Sequence, residues 1–323
     1  MELITTHSKL PELERAVVEV VGGCNYKCAM CPQTTGRGKD WTRKMPLSMF
    51  EDILKQLPGK PIINLEGSGE PSMAKDLDKY VQLCTDYGFD SFIYTNGSFL
   101  TGSLLERVID AGITFIRYSC IGYDKNKYAE WMATDRFEAL KDKIREAKQV
   151  VADKGSACTL SSYHLILDNN QIDHEVEQYR QNFVDDLGII GYIWKMHNWS
   201  GNYDPAYDRA SEQVRTCGRP FANEITIRSG GINGHQGAVT PCCQTMGPPN
   251  EALSVLGHAD TQSLADIWHG PEYEALREAH RTSNYPDYCT NCDFLYDNPE
   301  VLVWSNDPEA KVNRMLGTKS QLR

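Results

Sequence analysis

Cys24-Asn25-Tyr26-Lys27-Cys28-Ala29-Met30-Cys31 places three cysteines at C-x3-C-x2-C spacing on one short segment. Three thiolates leave one iron of a four-iron cube without a protein ligand. Electron-carrying [4Fe–4S] sites use four cysteines, and structural zinc sites fill all four of their positions. The spacing therefore suggests a cluster that itself binds a ligand; the alternative is a zinc knuckle whose fourth ligand comes from elsewhere. The segment follows an apolar run, residues 16–21, that reads as a strand, so the cysteines are expected where a strand ends.

Outward from there, apolar strand candidates recur at 62–65, 91–94, 115–118, 159–167 and 189–195, with amphipathic helices between them. One helix, 48–57, opens with a capping box from Ser48 to Glu51; the next carries Leu77, Tyr80, Val81 and Cys84 on one face. This alternation predicts an α/β fold with a parallel sheet and helical crossovers. After Trp199 the composition turns polar and rich in turn formers, which puts a domain boundary near residue 200. Residues 1–200 form the first domain and 201–323 a smaller cysteine-rich domain. The polar tail beyond Asn306 is expected to be a surface helix or a frayed end.

The 323 residues suffice for both, and 41% hydrophobic with 24% charged residues is the composition of an ordinary soluble protein. No apolar run approaches the roughly 20 residues of a membrane span, and the N-terminal stretch lacks a signal-peptide pattern. A net charge of −11 argues against nucleic acid as a partner. Eleven cysteines without an export signal point to metal or redox chemistry in a reducing cytoplasm. Three open the chain, five fall in its last third, and Cys84, Cys120 and Cys158 are isolated.

The cysteine segment, together with Gly67-Ser68-Gly69-Glu70-Pro71 after the second strand, resembles the radical SAM superfamily, with Ser68 where the family's motif has a glycine. The resemblance implies a partial (β/α)6 TIM-like barrel and a [4Fe–4S] cluster on Cys24, Cys28 and Cys31. Its open iron would chelate S-adenosylmethionine, whose reductive cleavage gives a 5′-deoxyadenosyl radical. It further implies that Tyr26, Met30, Ser68, Gly69, Glu70, Thr95, Asn96 and Ser119 line the cofactor pocket, and that flavodoxin or ferredoxin supplies the electron. Asn96-Gly97 also reads as a plain turn. By placement at strand ends, Lys195, His197 and Asn198 are candidate substrate contacts. Cys120 is a candidate hydrogen-atom donor or simply a small buried hydrophobe.

Cys217, Cys242, Cys243, Cys289 and Cys292, interleaved with Leu256-Gly257 and Leu264-Ala265-Asp266-Ile267-Trp268, look like the SPASM/twitch auxiliary domain, a small α+β unit. This implies a second, fully ligated [4Fe–4S] cluster on Cys217, Cys242, Cys289 and Cys292, with Cys243 in reserve; four cysteines also suit zinc. The expected reaction is dehydrogenation of a small, polar, carbohydrate-like metabolite, with the second cluster taking the electron. Epimerisation through Cys120 and maturation of a peptide are the alternatives; no leader-binding module is recognisable.

Overall fold

The computed structural model describes residues 9–36, 38–203, 216–295 and 302–308. The tail from 309 and the turn-rich segment 204–215 lie outside them. Strands β1 (Arg15–Val18), β2 (Ile62–Asn64), β3 (Ser91–Thr95), β4 (Phe115–Ser119), β5 (Thr159–Ile166) and β6 (Ile190–Lys195) pair consecutively and in parallel. Between them run α1 (Leu47–Gln56), α2 (Leu77–Asp86), α3 (Gly102–Asp110), α4 (Lys125–Met132), α5 (Phe137–Asp153) and α6 (Ile172–Tyr179). The helices are where the periodicity places them because each has one apolar face. Phe50, Ile53 and Leu54 of α1, and Leu77, Tyr80, Val81 and Cys84 of α2, are buried. Each such aliphatic or phenyl side chain contributes about 1.5–3 kcal/mol on burial.

The start of α1 differs from the capping-box expectation. Pro46 caps the helix with extended backbone and no side-chain hydrogen bond, so Ser48 already lies in the first turn. Glu51 instead accepts from the Tyr87 hydroxyl at 2.8 Å and pairs with Lys55.

Strand alternation sorts the sheet into two faces. Ile116, Tyr118 and Ser162 turn to the helices, where Tyr179 of α6 donates to Ser162 at 2.7 Å. Arg15, Phe92, Tyr94, Arg117, Ser119, Tyr163 and Tyr192 lie on the other face, which lines the hollow of the barrel.

The C-terminal region does not stand apart from this sheet. After the Cys217 segment, β7 (Glu224–Ile227) pairs in parallel with β1, from Arg15↔Glu224 to Val18↔Ile227. Strands β8 (Ala238–Thr240) and β9 (Gly257–His258) follow antiparallel, flanked by α7 (Asn250–Leu253), α8 (Leu264–Trp268), α9 (Pro271–Arg281) and α10 (Asp287–Thr290). At the opposite edge, β10 (Leu302–Ser305) pairs antiparallel with β6. The result is one sheet ordered β10-β6-β5-β4-β3-β2-β1-β7-β8-β9. An unclosed barrel leaves the outer edges of β1 and β6 with unpaired backbone groups, and β7 and β10 satisfy them.

Candidate active site

The cysteine loop follows β1, which ends at Val18, and is held by the turn after β3. Asn96 Nδ2 donates to Asn25 Oδ1 at 3.0 Å, and Asn25 Nδ2 donates to Ser98 Oγ at 2.9 Å. Ser98 Oγ in turn donates to Asn96 Oδ1 at 2.5 Å. Asn96-Gly97 is therefore more than a turn: its asparagine orients the first cysteine segment, with Nδ2 also 3.9 Å from Cys24 Sγ. On the far side, the Ala29 amide donates to the Trp131 carbonyl at 2.8 Å and Cys28 Sγ lies 3.8 Å from Met132 Sδ. Burial pushes the Cys24 thiol up to about 11 and the Cys28 thiol higher, with the neighbouring cysteines adding to both. Without a cation these groups stay protonated at neutral pH; a metal would compensate the buried negative charge.

The Gly67-Ser68-Gly69-Glu70 segment is wedged against β1. A Cβ on Gly69 would come within 1.9 Å of the Val21 carbonyl oxygen, and one on Gly67 within 2.3 Å of Glu19 Oε2. Only glycine allows this approach. Glu70, expected to line the cofactor pocket, is engaged by the chain's own donors. Oε1 accepts from Ser72 N (3.0 Å), Ser72 Oγ (2.5 Å) and Thr95 Oγ1 (2.6 Å), and Oε2 accepts from Asn96 N (2.7 Å). The carboxyl is a strut between the ends of β2 and β3, and Thr95 is spent in holding it. Desolvation pushes it up while these donors pull it down, and the balance lies above the ordinary carboxylate range.

A second group of thiols gathers around a cavity of about 370 Å³, counting its open mouth, lined by Cys217, Cys242, Cys289 and Cys292 with Arg219 and Phe294. Burial and the charges of the other cysteines push Cys289 and Cys292 well up, Cys217 and Cys242 being among the causes for both. Cys243 points elsewhere: its sulfur accepts from Arg219 Nη1 and Gln244 Nε2, each at 3.5 Å. The four thiols surround a space rather than converge on a point; among the described residues no three potential ligands meet closely enough for a single ion.

Residues 18–181 match the family described as the Radical SAM superfamily, and 232–293 match SPASM, an iron–sulfur cluster-binding domain. The chain belongs to the radical SAM superfamily. A 2-deoxy-scyllo-inosamine dehydrogenase that depends on S-adenosyl-L-methionine, from Niallia circulans, is 26% identical over 286 residues, covering 85% of this chain and 91% of that one. Among solved structures, BtrN in complex with AdoMet and 2-DOIA superposes with a TM-score of 0.57 at 22% identity, over 88% of this chain and 94% of that one. Streptococcus suis SuiB bound to its precursor peptide SuiA gives 0.61 at 16% identity, over 84% and 67%. At these identities the two structures speak to the fold alone.

The cofactors of this radical SAM protein are S-adenosylmethionine and [4Fe–4S] clusters, and the residues present fit them. In each group buried thiols are pushed up by burial and by one another, the setting that a cluster's positive charge would offset, and Ser68 Oγ is buried without a hydrogen-bond partner at the glycine-rich segment. Tyr26 is half-buried and Met30 buried beside the first loop. Ser119 faces the hollow, 3.4 Å from the Tyr163 hydroxyl.

Other expected site residues are placed differently. Cys120 has no exposed surface, and lies beside Tyr179 on the helix-facing side of β4, opposite Arg117 and Ser119. A thiol there does not reach the hollow, so the hydrogen-atom donor role loses its geometric basis. His197 is buried against Trp199, ring centroids 4.0 Å apart, and is pushed down to about 3 by burial and the nearby Arg219. Lys195 ends β6, half-buried. Asn198 is not at a substrate surface: Nδ2 donates to the Asn291 carbonyl at 2.6 Å and Oδ1 accepts from the Asp293 amide at 3.1 Å. It clamps the Cys289–Cys292 loop. Asn198→Ala removes both bonds, at about 1–3 kcal/mol for the groups left buried. The expected result is loss of iron from the second cysteine group with 5′-deoxyadenosine formation retained, checked by iron analysis and product quantitation; full iron content would argue against the clamp.

Sequence reasoning missed Glu19, Asn25, Glu66, Ser98 and Arg228. Glu19 had a visible signal, an acid alone inside the apolar run Ala16-Val17-Val18-Glu19-Val20-Val21. It is 1% exposed and accepts from Ser68 N at 2.6 Å and Ser229 Oγ at 2.8 Å. Arg228 Nη1 lies 3.8 Å from Glu19 Oε2, while Nη2 donates to the carbonyls of Cys242 (3.3 Å) and Cys243 (3.1 Å). One buried ion pair thus ties the glycine-rich segment to the second cysteine group.

Proposed function

We propose that this radical SAM protein oxidises a hydroxyl group of a small carbohydrate-like molecule, in a reducing cytoplasm where flavodoxin or ferredoxin supplies the initiating electron. The observation that carries this reading is the inner face of the barrel sheet, on which Arg15, Tyr94, Arg117, Ser119 and Tyr163 present polar groups. Tyr163 is within electrostatic reach of both Cys28 and Glu66, and Arg15 of both Glu66 and Cys243. Cys24, Cys28 and Cys31 would hold the first cluster, where bound S-adenosylmethionine supplies a 5′-deoxyadenosyl radical that abstracts a hydrogen atom. Cys217, Cys242, Cys289 and Cys292 would hold the second, and their full ligation suits electron acceptance rather than substrate binding.

The chain's own contribution is to orient and desolvate. Asn96 and Asn25 fix the first loop, and Ser68 offers its buried hydroxyl and the backbone around Gly69 to a polar ligand. Ser119, Tyr163 and Arg117 present hydrogen-bonding groups to a polyhydroxylated molecule in the hollow. Dehydrogenase activity in the Niallia circulans relative, alignable over most of both chains, agrees with this reading. Anaerobic reconstitution should give about eight irons per chain, the content of two four-iron clusters. With dithionite and S-adenosylmethionine it should release 5′-deoxyadenosine, and with a polyol or aminocyclitol substrate a carbonyl product in equal amount. Deoxyadenosine without any carbonyl product across such a panel would sink the oxidation reading.

A further inference from the structure

Three acids line the inner face of the barrel near the glycine-rich segment, and two are fully engaged. Glu19 is taken up by Ser68, Ser229 and Arg228, and Glu70 by four hydrogen bonds. Glu66, which follows β2, accepts one bond, from Asn64 Nδ2 to Oε1 at 2.9 Å. It lies deep in the molecule yet keeps accessible surface, because it faces the hollow. The charged and titratable groups around it come from every neighbouring strand: Arg15 of β1, Tyr94 of β3, Arg117 of β4, Tyr163 of β5 and Glu224 of β7. Arg117 is itself immobilised. Its guanidinium sits 4.0 Å from the Tyr192 ring centroid and 5.3 Å from that of Trp194, and donates to the Tyr94 hydroxyl at 2.9 Å and Ser161 Oγ at 3.2 Å. A fixed cation and a carboxyl with one oxygen uncommitted thus share the inner face of the barrel.

We propose that Glu66 is the catalytic base that takes the hydroxyl proton of the substrate radical; this rests on the oxidation reading above. Removal of a hydrogen atom from the carbinol carbon leaves an α-hydroxyalkyl radical whose O–H is far more acidic than that of the alcohol. The Glu66 carboxylate accepts that proton. Loss of the remaining electron turns the C–O bond into C=O, and an iron–sulfur cluster held by Cys217, Cys242, Cys289 and Cys292 would supply the acceptor. The alcohol thus loses one hydrogen atom, one proton and one electron. Arg117 positions the hydroxyl oxygen and stabilises the alkoxide-like charge between the two steps.

Burial pushes Glu66 up to about 7, with Asn64, Arg15 and Arg117 opposing it. The base form is the active one, so carbonyl formation rises with pH through that region and levels off above it. The decisive comparison is between wild-type holoenzyme, Glu66→Gln and Glu66→Asp. The probe is 2-deoxy-scyllo-inosamine together with a panel of related polyols, deuterated at the carbinol carbon. Glu66→Gln should keep deuterium transfer into 5′-deoxyadenosine while carbonyl product falls by about 100-fold or more, the usual contribution of a positioned base. Glu66→Asp should recover part of it. Infrared difference titration of the resting, substrate-free holoenzyme gives a readout independent of turnover: a carboxyl titrating near neutrality in wild type and absent from Glu66→Gln. Glu66→Gln that oxidises at the wild-type rate with an unchanged pH profile overturns the role of Glu66 alone. Wild type that forms deoxyadenosine but no carbonyl from any probe overturns the oxidation reading, and the base with it.

Discussion

Cys28→Ala should abolish 5′-deoxyadenosine formation and remove about four irons per chain, whereas Cys289→Ala should remove about the same number and leave 5′-deoxyadenosine formation intact. The asymmetry follows from the two settings. Cys28 belongs to the group of three thiols proposed to leave one iron for S-adenosylmethionine, and Cys31 and Cys24 are the cysteines whose charges raise it. Cys289 belongs to a group of four around one cavity. If both variants lose 5′-deoxyadenosine equally while retaining four irons, the two groups do not have separate functions. If Cys289→Ala retains full iron but Cys243→Ala does not, the ligand set is different from the one proposed. Cys243→Ala should keep its iron, because its sulfur is turned to Arg219 and Gln244.

Glu19→Ala should destabilise the protein by about 3–5 kcal/mol, as expected when one partner of a buried ion pair is removed. Arg228 has no exposed surface, and the alanine variant strands its charge. The Ser68 and Ser229 amides lose their acceptor as well. Glu19→Leu combined with Arg228→Met removes both charges and should recover part of the loss, since an apolar pair of similar size is often no worse than a buried ion pair. Chemical denaturation of the three proteins measures this; a loss below about 1 kcal/mol in Glu19→Ala would show the pair to be dispensable. A functional consequence goes with it. The pair links Ser68 to the carbonyls of Cys242 and Cys243, so Glu19→Ala should loosen iron at the second cysteine group, which lies far away in sequence.

Much of this site can be read in residue order because the chemistry is local there. A loop with three thiols, a glycine-rich turn and a Cys-x2-Cys pair each lie within a few residues. The two periodicities placed the second to sixth strands and the first helix to within a residue, because apolar burial on one helix face and on alternate strand positions dominates those segments, whereas the first strand, expected to run to residue 21, ends at Val18. The capping box at Ser48 failed because Pro46 starts the helix first.

The amino-acid sequence by itself determined the two thiol groups, the alternating α/β order and the family. Only the tertiary structure decided which cysteine of the 242–243 pair faces the cavity, that β7 continues the barrel sheet beside β1, and that Cys120 turns to the helices. It also made Glu70 and Asn198 struts and left one oxygen of Glu66 uncommitted in the hollow. The physical reason is common to these cases. A residue's type and spacing fix what chemistry it can do, whereas the face it occupies and the partners that use up its hydrogen bonds are set by strands and loops distant in sequence.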